Sequence, residues 1–226
     1  MKKMTRLALA AAAAALTAGS ASAATVVWSE DFNSGVPAGW GVFNLSDFPS
    51  GPAWFQGSHS PAPFFPAYSG PANGYVASSV FIGAQTVSGD PEGEVDGYLL
   101  SPTLMLQQDM RLRFWTRTVE ASAWPDYLWV GLLINGQFTR LLEVNPSLTT
   151  GGYPEAWTEF SVYVPNQGTG VTGNLVFNYY VPDASQVGNY IGLDNVSLQV
   201  PEPAAWLAVG SALFAAGLAT SRRRRA

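Results

Sequence analysis

Four carboxylates recur at alternate positions between Gly89 and Gly97: Asp90, Glu92, Glu94 and Asp96. In an extended chain, side chains two residues apart point the same way, so the spacing gathers four acids on one side. A divalent cation relieves such crowding, and Ca²⁺ takes carboxylate oxygens readily. The run lacks the glycine and the terminal glutamate of an EF-hand loop. A solvated acidic loop accounts for the same residues, and both readings stay open. Other chemistries are closed off by composition. There is no cysteine, and His59 is the only histidine, which excludes thiol catalysis, cysteine-type zinc sites and multi-histidine metal centres within one chain. No Gly-x-Ser-x-Gly elbow surrounds any serine, and His59, between Ser58 and Ser60, has no nucleophile pattern beside it. A pair of Asp/Glu groups for glycoside hydrolysis depends on separation in space, which spacing along the chain does not decide.

Aromatic residues form the second set. Ser46–Tyr75 holds six prolines together with Phe48, Trp54, Phe55, Phe64, Phe65, Tyr68 and Tyr75. Prolines at that density deny a central strand its ladder donors, so this is a long irregular segment of the kind that often carries function. It reads in two ways: as a platform on which sugar rings stack, with Trp54, Phe55 and Tyr68 as ligand contacts, or as a flap whose aromatics close one end of the core. Arg111, Arg113 and Arg117 flank Trp115 at alternate positions, a set that can grip an anionic sugar or pair with neighbouring acids. Trp115 joins the candidate ligand-binding residues.

The elements that must position these groups are strands. No long amphipathic helix pattern occurs between Ala24 and Val200; short alternating runs punctuated by Gly, Pro, Asn and Asp predict an all-β, jelly-roll-type antiparallel sandwich. Val26–Phe32 and Gly41–Asn44 begin it. Arg111–Glu120 sends Leu112, Phe114, Thr116 and Thr118 to one face and the arginines with Trp115 to the other. Tyr127–Ile134 and Gln137–Val144 flank Asn135-Gly136, the signature of a type I′ hairpin. Trp157–Val164 and Asn174–Val181 follow. In Tyr190–Val200 the apolar residues change parity between Leu193 and Val196, so a β-bulge near Asp194-Asn195 is expected. The bulge re-aims Asp194, as a ligand or as a cap for backbone groups.

The two ends read as addresses rather than fold. Lys2, Lys3 and Arg6 precede an Ala/Leu-rich stretch, and Ala21-Ser22-Ala23 supplies a cleavage site after Ala23, so residues 1–23 are expected to be a signal peptide. At the other end, Val200-Pro201-Glu202-Pro203 precedes an uncharged run, 204–220, then Arg222, Arg223, Arg224 and Arg225. Seventeen helical residues rise about 26 Å, just short of a bilayer core, and the arginines mark a cytoplasmic end. Between the ends, four arginines face fifteen acids with no lysine, a balance that argues against nucleic acid, which needs basic clusters. An exported domain without disulfides must rely on packing, and residues 24–199 are long enough for one domain with a real core.

Two resemblances follow from these residues. The tail 200–226 resembles the PEP-CTERM sorting signal of Gram-negative bacteria: the Val-Pro-Glu-Pro motif, a short transmembrane helix and a basic cluster in that order. It implies passage through the inner membrane, processing by an exosortase, and a cell-surface or secreted product. Glu30-Asp31-Phe32, Pro37 with Gly39-Trp40, Tyr98–Pro102, Leu112-Arg113-Phe114, Trp157 and Ile191–Val196 are similar to the choice-of-anchor J or cleaved-adhesin group of MAM-like sandwiches. That likeness implies Ca²⁺ bound through Glu30, Asp31 and Asp194, with Asn195 standing where a second aspartate is common. The functional expectation is a non-catalytic protein that binds extracellular polysaccharide or another surface component. A secreted hydrolase acting on exopolysaccharide through Asp/Glu groups is the alternative.

Overall fold

A computed structural model describes residues 24–87 and 90–201. The expected signal peptide with Ala23, and the tail residues Glu202, Pro203, 204–220 and Arg222–Arg225, lie outside the described residues. Val26–Val200 forms one compact unit. Its strands are β1 (Thr25–Glu30), β2 (Gly41–Asn44), β3 (Phe55–Gln56), β4 (Val76–Ser79), β5 (Gln85–Val87), β6 (Asp90–Glu92), β7 (Val95–Leu100), β8 (Leu104–Met105), β9 (Met110–Thr118), β10 (Leu128–Ile134), β11 (Gln137–Val144), β12 (Thr158–Val164), β13 (Thr172–Val181) and β14 (Tyr190–Val200). The one helical element among the described residues is a 3₁₀ turn, Val80–Ile82. No helix there is long and apolar enough to cross a membrane.

Sheet A runs β12-β9-β14-β4-β3, with β1 also on β14; sheet B runs β11-β10-β13-β7-β2, with β8 also on β13. Apart from the β10–β11 hairpin within sheet B, successive long strands from β9 to β14 cross from one sheet to the other, the jelly-roll pattern of an antiparallel sandwich. Period-2 alternation fills the space between the sheets. Leu112 and Phe114 of β9 meet Leu175, Phe177 and Tyr179 of β13 in one core, with Leu128 and Val130 of β10. The Asn135-Gly136 turn has positive φ at both residues (50° and 76°), as a type I′ hairpin requires, and pairs Ile134 with Gln137.

The bulge in β14 is present. Asp194 pairs with Trp115, yet Ser197 already pairs with Arg113, so one extra residue stands on β14. Ile191, Leu193, Val196 and Leu198 are therefore all buried despite their mixed parity. Asn195 takes the strained position, at φ 47°. Asparagine is one of the few residues that tolerates the left-handed region.

One expectation is corrected. The run Asp90 to Asp96 is not a single extended stretch: β6 ends at Glu92, Gly93 turns the chain at φ +104°, and β7 begins at Val95. The four carboxylates do not share one side.

Candidate functional site

On the outer face of sheet A, β9, β12, β14 and the end of β1 frame an open groove of about 580 Å³. Trp115 and Arg113 rise from β9 because the alternation that buries Leu112 and Phe114 turns these two outward. Tyr68 reaches in from the Pro-rich flap and stacks on Trp115, ring centroids 3.7 Å apart and planes 14° from parallel. Glu159, Glu30, Asp31, Asn195 and Gln199 supply the polar walls. Arg113 is ion-paired with Glu159, and that bond raises the guanidinium pKa.

The bulge places the group that holds this arrangement. Asp194, fully buried, accepts the backbone N–H of Tyr68 at 2.9 Å and of Ser69 at 3.3 Å through Oδ2, and that of Asn195 at 2.7 Å through Oδ1. Asn195 Nδ2 donates to Ser69 Oγ at 3.0 Å. Of the two roles left open for Asp194, backbone capping is the one observed. Burial pushes its pKa up to about 6 against the pull of these three N–H donors, and the charge of Asp31 adds a smaller upward push.

The rest of the flap is anchored by its own aromatics. Phe65, Tyr75 and Tyr190 form a satellite cluster with Phe55, Phe64 and Trp157 packed on it. Trp157 Nε1–H donates to Pro66 O at 2.8 Å, and the Arg117 guanidinium lies 4.3 Å from the Phe65 ring centre. Most of the flap's rings therefore serve packing, and Tyr68, 42% exposed, is the one that lines the groove.

The candidate residues thus divide. Tyr68, Trp115, Glu30 and Asp31 come together at the groove, with Asp194 beneath the flap. Trp54 is corrected: it is 1% exposed, and its indole N–H is spent on Gly97 O at 3.0 Å, so it offers no ring face to a ligand. Phe55 is half-buried against both apolar clusters. Asp90 and Glu92 lie on the β5–β6 hairpin. Glu94 accepts the Tyr180 hydroxyl at 2.9 Å, and Asp96 accepts Asn178 Nδ2 at 2.7 Å. His59 Nδ1 sits 2.6 Å from Asn73 Oδ1 on an exposed loop, paired with an amide rather than with a nucleophile.

Among the described residues, no three His, Asp or Glu side chains are disposed to hold a metal. Asp31 is occupied by Asn33, whose N–H and Nδ2 donate to it at 3.1 and 2.7 Å. Glu30 Oε1 accepts the Phe32 N–H at 3.0 Å. Asn33 Oδ1, however, is buried without a partner, and an amide oxygen is a normal calcium ligand.

A further buried acid gave no sequence signal. Asp126, fully buried, accepts the Thr118 hydroxyl at 2.5 Å, the Tyr179 hydroxyl at 2.6 Å and the Asn189 N–H at 2.7 Å. It ties β9, β13 and the loop before β14 together. Its partners are as much as 63 positions away, beyond any local pattern.

Comparison with solved structures places this sandwich beside cleaved adhesin domains. The K1 domain of Lys-gingipain from Porphyromonas gingivalis W83 is 26% identical, with a TM-score of 0.57 over 77% of this chain and 98% of that one. The K3 domain of the same protein is 22% identical, with a TM-score of 0.50 over 77% and 99%. No family model and no curated protein matches the chain. The chain is an adhesin-like β-sandwich.

Proposed function

We propose that this protein is an exported, non-catalytic adhesin-like component of the cell surface or extracellular matrix, and that the groove on sheet A binds extracellular polysaccharide. The observation that carries the reading is the Tyr68–Trp115 stack, set among Glu30, Asp31, Asn195 and Gln199 and held by Asp194. Sugar rings present apolar C–H faces to aromatic rings and hydroxyls to acids and amides, and an open polar groove with an aromatic floor meets both needs. The K1 neighbour, described as an adhesin domain, supports the adhesive reading.

Retention of the purified protein on immobilised polysaccharides, with reducing ends measured in the same samples, separates binding from hydrolysis. Retention without release is expected. Release abolished by Glu30→Gln, Asp31→Asn or Glu159→Gln would make the protein a hydrolase instead.

The remaining parts of the reading concern address and metal. Export through the inner membrane and exosortase processing at 200–226 rest on the sequence of the ends, and the mass of the protein from its native host tests them. Calcium is proposed at Glu30, Asp31 and Asp194, supported by the unpartnered Asn33 Oδ1 nearby in the chain. With few carboxylates converging, amide and carbonyl oxygens would complete its shell. A bound cation there would supply charge neutralisation beside the flap.

A further inference from the structure

The outer face of sheet B, on the far side of the sandwich from the groove, carries a second set of rings and polar groups. Strand register lines them up. Trp129 of β10 stands opposite Asn178 of β13, Asn178 opposite Tyr98 of β7, and Tyr98 opposite Phe43 of β2. In the neighbouring rows Tyr180 faces Asp96, and Val176 faces Leu100. These residues alternate with the core-facing Leu99, Leu128, Phe177 and Tyr179, so all of them point outward.

The face has an apolar part and a polar part. Phe43, Leu45, Tyr98, Leu133 and Phe138 border an apolar trough of about 240 Å³. Phe43 and Leu45 are 52% and 65% exposed there. Beside it, Asn178 Nδ2 donates to Asp96 Oδ1 and the Tyr180 hydroxyl to Glu94. Trp129 stacks on Tyr180, ring centres 4.7 Å apart, and the Arg140 guanidinium lies 3.9 Å from the Trp129 ring centre. Asn178 points outward yet is 0% exposed, and its Oδ1 is buried without a hydrogen-bond partner. A buried acceptor left unmet is costly, and an incoming donor reaches it only when the side chains that cover it move aside.

Charge decides between occupants. A second copy of the chain pressed onto this face would bury Glu94, Asp96 and Glu143 against their own counterparts, with Arg140 as the cation beside them. The same acids repel a uronate or a sulfated chain. A neutral pyranose chain meets no such penalty: its C–H faces fit Phe43 and Tyr98, and its hydroxyls can donate to Asn178, Asp96 and Glu94.

We propose that the outer face of sheet B is a second glycan-binding surface, taking a neutral β-linked pyranose chain across the Phe43–Tyr98–Asn178–Trp129 row. With a groove on one sheet and this face on the other, one molecule bridges two polysaccharide chains.

Calorimetric titration of the purified protein with cellohexaose and laminarihexaose tests it. Phe43→Ala/Phe138→Ala removes two exposed rings from the trough, and Leu45→Asp, at a 65% exposed position, provides a second variant should the first fold poorly. Each is expected to weaken binding by about tenfold or more, while Phe81→Ala, at a 62% exposed position that lines neither groove, leaves it within about twofold. The proposal is overturned if the wild type binds neither oligosaccharide, or if Trp115→Ala abolishes binding that the sheet B variants retain. It is overturned equally if the protein sediments as a dimer that Leu45→Asp dissociates, which would make this face a contact between copies.

Discussion

Replacing Asp194 probes the link between the bulge in β14 and the flap. In Asp194→Ala the N–H groups of Tyr68, Ser69 and Asn195 lose their acceptor at once. Each unmet buried donor costs about 1–3 kcal/mol, less where water can reach it. Because Tyr68 and Ser69 lie at the flap's surface, a total of about 2–4 kcal/mol is expected. For a domain of this size each kcal/mol lowers Tm by about 2–4 °C, giving a fall of about 5–15 °C by scanning calorimetry at pH 7 in chelator. Asp194→Asn keeps one acceptor and removes a charge that burial disfavours, so its Tm should lie well above that of the alanine variant.

The pH dependence follows from the same burial. Asp194 titrates in the folded protein at about 6, above its ordinary value of 3.8. The folded state therefore holds this proton more tightly than the unfolded chain. Its stabilising contribution is complete below about pH 4 and disappears as pH rises through 6, at most about 3 kcal/mol for a two-unit shift. Wild type should gain stability relative to Asp194→Asn as pH falls from 7 to 5. An unchanged Tm in Asp194→Ala, together with parallel pH profiles for wild type and Asp194→Asn, would refute the latch.

Three further outcomes are expected. Asp126→Ala leaves the Tyr179 hydroxyl without an acceptor in a fully buried site, while Thr118 Oγ1 keeps Tyr190 O and the Asn189 N–H keeps the Tyr179 oxygen; a loss of about 2–4 kcal/mol is expected, read by urea denaturation with the slope unchanged. Gly136→Ala forces a Cβ into φ +76° at the β10–β11 turn; a loss of about 1 kcal/mol is expected, and no loss would contradict the type I′ geometry. Calcium at millimolar concentration should raise Tm above its value in chelator, and an unchanged midpoint would reject the proposed cation.

Local patterns carried the fold well where one strand decides its own geometry. The Asn135-Gly136 hairpin, the two faces of β9 and the parity break that forces the bulge are all period-2 arguments. The aromatics between Ser46 and Tyr75 were harder, because a ring in an irregular segment gives no sign of which way it points. Trp54 turned inward to Gly97, while Tyr68 turned outward to Trp115. The acid run misled because alternation was extended through Gly93, whose positive φ ends it. The Asp126 network and the row from Phe43 to Trp129 were invisible for another reason: both join residues about 50 to 80 positions apart, and no spacing within one segment foretells which strands become neighbours.

The most direct test of polysaccharide binding on sheet A compares wild type with Tyr68→Ala and Trp115→Ala in affinity electrophoresis through gels containing the host's own exopolysaccharide. Both rings are partly exposed, so Tm should move by no more than a few degrees. Wild type should be retarded, and either variant should be retarded clearly less. Retardation of both variants equal to that of wild type, with the fold intact, would contradict a binding role for this groove.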